Sequence, residues 1–198
     1  MLKKKYLTFP LFLTLIRLLV SPLVLPVIFV YALPHNSLFI NSGLAVLFVL
    51  FSLTDFFDGY LARRYNQETV LGALLDPVAD KCLVYATLIA LVDTHKIFFY
   101  WPIIIIGREF FVMGLRLIAI QYGMSLSVAY SGKVKTVIHS ICLTWLILNP
   151  YQALGFQGAF WWNGIEAVLI FLSLLLTVLS GWIYYRRFAQ QWKEKKLW

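Results

Sequence analysis

Four aspartates at helical spacing are the residues of this chain best suited to chemistry. They lie in the stretch DFFDGYLARRYNQETVLGALLDPVAD, with Asp55 and Asp58 three apart and Asp76 and Asp80 four apart. Either spacing puts both side chains of a pair on one face of a helix. The sequence around them is strongly apolar, and an uncompensated carboxylate in such surroundings costs several kcal/mol. Four together call for cations. Two helices joined by a turn near Tyr65 to Thr69, each offering two carboxylates, would supply the oxygen ligands that hard divalent ions such as Mg²⁺ or Mn²⁺ accept. Gly59 and Gly72 would let a backbone or a ligand approach closely. The competing reading is structural: the carboxylates pair with Arg63, Arg64 and Lys81. Salt bridges alone, however, would not require this spacing, the two glycines and an apolar setting together.

The elements that must position these residues read as membrane helices. The chain of 198 residues is 61% hydrophobic, only 13% charged, and has a mean hydropathy of +0.80. That composition excludes an ordinary soluble domain. The net charge of +8 then fits a bilayer with anionic head groups as partner and not a nucleic acid. The expected fold is all-α and polytopic: six transmembrane helices behind a short basic interfacial segment, forming one domain over residues 1–198. The spans run from about Pro10 to Leu33, Leu38 to Arg64, Val70 to Val92, Phe98 to Ile120, Gly132 to Leu148 and Phe160 to Tyr185. The first follows Lys3–Lys5 like a signal peptide but lacks a small-x-small cleavage site, so it reads as a retained span. The tail from Arg186 to Trp198 is basic and aromatic and suits the interface.

Charge sets the orientation. Placing both termini in the cytoplasm puts Lys3–Lys5, Arg63, Arg64, Lys133, Lys135 and the tail's basic residues on that side, with Lys96 opposite. This fits the positive-inside rule and brings the acidic stretch toward the cytoplasmic face. Five cations fall in or at the ends of spans on that same side: Arg17, Arg108, Arg116, Lys133 and Lys135. Together they suggest an anion pocket, against the plainer reading of snorkelling side chains or contacts to anionic head groups. Glu109 and Arg116 are seven apart and share a helix face, so a structural ion pair within the bundle is the plainer reading to set against a functional one. His35 and His95 read as solvated loop residues, and His139 as part of a polar network. Cys82 and Cys142 read as buried thiols. The tryptophans read as interfacial belt residues.

The acidic stretch also resembles a known family. Asp55, Asp58, Gly59, Ala62, Arg63, Gly72, Asp76 and Asp80 match the signature D-x2-D-G-x2-A-R-x8-G-x3-D-x3-D of the CDP-alcohol phosphatidyltransferases. These transfer a phosphatidyl or similar group from a CDP-linked donor to an alcohol and release CMP. The resemblance implies two divalent ions held by Asp55, Asp58, Asp76 and Asp80, with Asp80 also the catalytic base. It implies donor contacts from Thr14, Gly59, Ala62, Arg63 and Gly72. Three further segments narrow it: PLFLTLIR from Pro10, REFFVMGLR from Arg108 and SGKVKT from Ser131 are similar to those of the bacterial phosphatidylglycerophosphate synthases. That likeness implies CDP-diacylglycerol as donor and glycerol 3-phosphate as acceptor, the latter's phosphate on Arg17, Arg108, Arg116, Lys133 and Lys135. It also implies a homodimer in the bacterial cytoplasmic membrane, working on the cytoplasmic side. The alternatives are the same chemistry with serine, inositol phosphate or phosphatidylglycerol as acceptor, or a divalent-cation transporter using the aspartates as its binding site.

Overall fold

A computed structural model describes the backbone of residues 22–35, 37–64, 70–124, 130–150 and 154–195; its side-chain description omits 54–64, 70–80, 130, 131 and 133. Among the described residues the regular structure is helical: α1 (Leu25–Ala32), a 3₁₀ turn (Leu33–His35), α2 (Leu38–Arg64), α3 (Val70–Asp93), α4 (Tyr100–Gln121), α5 (Tyr130–Leu148) and α6 (Phe156–Glu194). Phe156–Glu194 is the one helix among them long and apolar enough by itself to cross a membrane. The apolar stretches Leu25–His35, Leu38–Leu53 and Val134–Leu148 are shorter. The chain divides into two compact units, one within Met1–Ile97 and Thr144–Leu154, the other within Phe98–Leu143 and Gly155–Trp198.

The first unit is held by apolar stripes. Leu25, Phe29 and Leu33 recur every four residues and are buried where α1 packs on α3. Among the described side chains of α2 the buried ones are Asn41, Leu44, Ala45 and Phe48, one face at helical spacing. Phe39, Val46, Leu50 and Leu53 of the same helix are exposed, as befits a surface facing hydrocarbon. Asn41 is the polar member of the stripe; its amide donates to the carbonyl of Asn149 at 3.3 Å. Helical backbone runs unbroken through Asp55 and Asp58 on α2 and through Asp76 and Asp80 on α3. It also runs through Pro77, which can give no hydrogen bond to the carbonyl of Ala73.

In the second unit α4 packs on α6. The buried residues of α6 are Ile170, Ser173, Thr177, Ser180, Gly181 and Tyr184, an almost entirely polar or small stripe. Phe171, Leu175, Val178, Leu179 and Trp182 are exposed on the same helix. Polar inside and apolar outside suits lipid as the solvent, where small residues let helices approach and hydroxyls must find partners locally. Thr177 donates to the Ser173 carbonyl at 2.7 Å and Ser180 to the Thr177 carbonyl at 3.0 Å.

Helix α6 differs from its expected span, beginning four residues earlier than Phe160 and ending nine later than Tyr185. Its 39 residues rise about 58 Å against a hydrocarbon core of about 30 Å. The end carrying Arg186, Arg187 and Lys193 therefore continues as helix beyond the apolar section instead of forming a tail. Two contacts tie this extension to α4. The Lys195 ammonium donates to the carbonyls of Tyr122 and Gly123, and Trp192 meets Tyr122 edge to face with centroids 4.9 Å apart.

Candidate functional site

Arg108, Glu109 and Arg116 lie on α4 and Lys135 in the second turn of α5, and the second unit gathers them around the polar stripe of α6. Glu109 is the hub of the charges. One of its oxygens accepts from Arg108 Nη1 at 2.7 Å and also from Lys135 Nζ. All three side chains are about one-tenth exposed, at 10–11%. An ion pair within the bundle thus forms at Glu109, while Arg116 Nη2 donates to the hydroxyl of Tyr184 at 2.8 Å. Arg108 Nη2 donates to Ser180 Oγ at 2.9 Å.

Tyr184, only 2% exposed, links the two arginines. The guanidinium carbon of Arg108 stands 5.6 Å from its ring centroid and that of Arg116 5.1 Å, both within cation–π range. Gly181 makes room for this arrangement. A Cβ there would come within 3.1 Å of Arg108 Cγ, closer than the arginine stem tolerates without shifting. One turn along α5, His139 is buried and its Nδ1 lies 2.8 Å from Ser173 Oγ, so it belongs to a polar network as expected. Cys82 and Cys142 are free thiols.

The electrostatics of the set is asymmetric. Arg108 and Lys135 share the Glu109 carboxylate, whereas Arg116 meets the Tyr184 hydroxyl, so among the contacts described three cations gather around one carboxylate. Nε of Arg108 and Nε of Arg116 are buried without a hydrogen-bond partner among the described residues. Buried guanidinium donors in that condition favour an anion with several acceptor oxygens.

The other expected site residues stand as follows. Thr14 and Arg17 lie outside the described residues. The backbones of Asp55, Asp58, Gly59, Ala62 and Arg63 are in the last three turns of α2, and those of Gly72, Asp76 and Asp80 in the first three of α3, but their side chains lie outside the description. The side chain of Lys133 does too. The donor set still allows a test of fit for divalent ions. Continuous helix at 55–58 and at 76–80 keeps each pair on one helix face, and all four donors are hard carboxylate oxygens. They fit Mg²⁺ or Mn²⁺. Among the residues whose side chains are described, no group of three His, Cys, Asp or Glu offers an alternative.

Ser180, Gly181 and Tyr184 were not singled out from the sequence. A signal was present: Ser173, Thr177, Ser180 and Tyr184 recur at three- and four-residue steps in an otherwise apolar segment. Small and polar residues at that spacing mark an inward face.

Apolar outer surfaces around a hydrogen-bonded, charged interior define an α-helical membrane protein. The chain belongs to the CDP-alcohol phosphatidyltransferase family, an enzyme family whose model matches residues 7–182. Among its relatives is a CDP-diacylglycerol–glycerol-3-phosphate 3-phosphatidyltransferase of Rickettsia felis, 34% identical over 177 residues that make up 89% of this chain and 93% of that protein. A protein of the same name from Bacillus subtilis is 38% identical over 154 residues, 77% of this chain and 75% of its own. One from Salmonella choleraesuis is 36% identical over 177 residues, 86% of this chain and 89% of its own.

Proposed function

We propose that this chain transfers the phosphatidyl group of CDP-diacylglycerol to glycerol 3-phosphate, giving phosphatidylglycerophosphate and CMP. Family membership and the names of the relatives support the reaction class. The observation that supports the choice of acceptor is the gathering of Arg108, Arg116 and Lys135 in one polar cluster, with Nε of both arginines buried without a hydrogen-bond partner among the described residues. A phosphate monoester brings up to two negative charges near neutral pH and three acceptor oxygens, which suits clustered guanidinium and ammonium donors. Serine, being zwitterionic, suits them less well.

In this reading Asp55, Asp58, Asp76 and Asp80 hold two divalent ions, Mg²⁺ or Mn²⁺. When bound, these supply charge neutralisation at the donor's pyrophosphate and at the departing CMP. Gly59, Ala62, Arg63, Gly72 and Thr14 bind the cytidine and phosphates of the donor. Arg17, Arg108, Arg116, Lys133 and Lys135 bind the acceptor's phosphate and so aim its primary hydroxyl. Asp80 accepts the hydroxyl proton as that oxygen forms its bond to the phosphatidyl phosphorus and the pyrophosphate bridge to CMP breaks.

The reading also takes residues 1–198 as one membrane domain with six spans in the bacterial cytoplasmic membrane. Both termini and the chemistry lie on the cytoplasmic side, and the protein is a homodimer. The distribution of lysine and arginine supports this orientation.

The test is CMP release by the purified protein in detergent. It uses CDP-diacylglycerol, Mg²⁺ and, in parallel, glycerol 3-phosphate, serine, inositol phosphate or phosphatidylglycerol. Release with glycerol 3-phosphate alone, abolished by EDTA and by Asp80→Asn, is the expected result. Release with serine, inositol phosphate or phosphatidylglycerol instead would overturn the assignment of the acceptor. No release with any acceptor from folded protein would overturn the reaction, and Mg²⁺ flux into sealed liposomes would then favour transport.

A further inference from the structure

The two arginines of the cationic set pose a physical problem. They are eight residues apart on α4, just over two turns or about 12 Å along the axis. Left alone, two long side chains at that distance would sample many rotamers and present no fixed anion site. Yet both guanidinium groups come to a single ring, Tyr184, on the facing helix. Three interactions bring them there. The ring takes both cations against its surface, its hydroxyl accepts from Arg116 Nη2, and Ser180, one turn earlier, accepts from Arg108 Nη2. The absence of a side chain at Gly181 leaves the Arg108 stem its path across α6. The arrangement also has a chemical purpose that packing alone would not require. A leucine at 184 would fill the same interior more easily and leave no polar atom to satisfy. A tyrosine there converts two flexible, mutually repelling cations into one fixed pair.

We infer that Tyr184 is a positioning residue for the acceptor's phosphate: it holds Arg108 and Arg116 in the register at which one phosphate engages both, with Ser180 fixing the Arg108 end. This rests on the reading of Arg108 and Arg116 as acceptor ligands. Tyr184 itself need not touch the acceptor. Its effect falls on acceptor binding and not on the donor, and it divides into two parts that substitution separates. Phenylalanine keeps the ring surface and loses the bond to Arg116; leucine loses both.

The experiment measures KM for glycerol 3-phosphate, KM for CDP-diacylglycerol, and the inhibition constant of inorganic phosphate in Tyr184→Phe, Tyr184→Leu, Arg108→Ala and Arg116→Ala, with a thermal melt of each. For Tyr184→Phe, KM for glycerol 3-phosphate and the phosphate inhibition constant should rise ~3-fold, and for Tyr184→Leu ~10-fold or more, with KM for CDP-diacylglycerol unchanged. If the arginine variants raise the acceptor KM while both Tyr184 variants leave it unchanged, the positioning role is overturned and the acceptor assignment stands. A rise in donor KM equal to the rise in acceptor KM, or a loss of kcat alone, would make Tyr184 a merely structural residue and also overturn the inference. If the arginine variants leave the acceptor KM unchanged, the acceptor assignment itself fails. Should Tyr184→Leu not fold, Tyr184→Phe decides by the same criteria, because it removes one oxygen and no packing surface.

Discussion

The buried stripe of α2 and the buried stripe of α6 solve the same problem in opposite ways. On α2, Leu44, Ala45 and Phe48 turn hydrocarbon to the interior of the first unit, and Asn41 is the polar member among the described side chains of the stripe. In the second, Ser173, Thr177, Ser180 and Tyr184 fill it with hydroxyls that bond to their own helix, to His139 or to the arginines of α4. In a bilayer neither stripe is favoured by exclusion from water, since lipid is as apolar as leucine. The apolar stripe gains dispersion contacts and asks nothing of sequence beyond shape. The polar stripe is stable only while every donor and acceptor is matched, and a chain accepts that condition where it must hold charges. Packing and function are thus unevenly shared between the two stripes, and substitutions in them should fail differently.

The largest effect is expected from removing the carboxylate that Arg108 and Lys135 share. Glu109→Ala leaves Arg108 and Lys135 buried without the counter-ion they now contact, and loss of one member of a buried ion pair costs about 3–5 kcal/mol. A large drop in melting temperature is expected in detergent, partly restored by glycerol 3-phosphate or inorganic phosphate at millimolar concentration, since either can replace the lost negative charge. A melt that phosphate does not move would mean that the cationic set is not an anion site.

Phe48→Ala makes the complementary test. Phe48 is fully buried in the apolar stripe. Its truncation should cost ~3 kcal/mol, the low end for a buried phenylalanine, because in a bilayer only the packing part of the loss applies. The melting temperature should fall while KM for glycerol 3-phosphate stays at the wild-type value in the protein that remains folded. Phosphate should rescue Glu109→Ala and not Phe48→Ala beyond its effect on the wild type. Equal rescue of both would erase the distinction between the two stripes.

What could be read from the sequence follows the same division. The bounds of α2 come directly from its apolar run and from the turn residues on either side, and Leu38–Arg64 is the expected segment. Arg108, Arg116 and Lys135 stand out because charges are rare in apolar sequence and their cost makes them candidates for a functional role. Their scaffold does not stand out in this way. Ser180 and Tyr184 carry no charge, and tyrosine near a span end reads most simply as a belt residue, so their roles emerge only when α6 is seen against α4. The identity of Glu109's partners is hidden in the sequence for a related reason. Residues seven apart share a face, but a neighbour on the facing helix, Lys135, competes for the same carboxylate, and sequence spacing within one helix says nothing about it. The continuation of α6 to Glu194 is not visible in the apolar pattern, which ends near Tyr185, because hydrogen bonding along the backbone does not depend on the solvent outside.

The helix ends carry the comparison to its smallest effect. Helices α3 and α4 close with the same turn. On α4, Gly123 takes φ +62° and donates to the carbonyl of Ile120, while Met124 reaches back to Ala119. On α3 the corresponding left-handed residue is His95, with φ 56°, donating to Val92, while Lys96 reaches back to Leu91. Both satisfy the last carbonyls of their helix in the Schellman pattern. Glycine adopts that conformation without penalty; a residue with a Cβ pays about 1 kcal/mol, which histidine offsets only in part. His95 is exposed in its turn, so His95→Gly removes the strain and should stabilise the protein by up to ~1 kcal/mol. The reverse change at the other end, Gly123→Ala, should destabilise by a similar ~1 kcal/mol. It should also raise KM for glycerol 3-phosphate slightly, because Lys195 grips the carbonyls of Tyr122 and Gly123 at the end of the helix that carries Arg116. His95→Gly should leave both KM values where they are. A shift in acceptor KM from His95→Gly, equal to that from Gly123→Ala, would mean that strain at either helix end reaches the cationic set, and that the set is not confined to the unit that builds it.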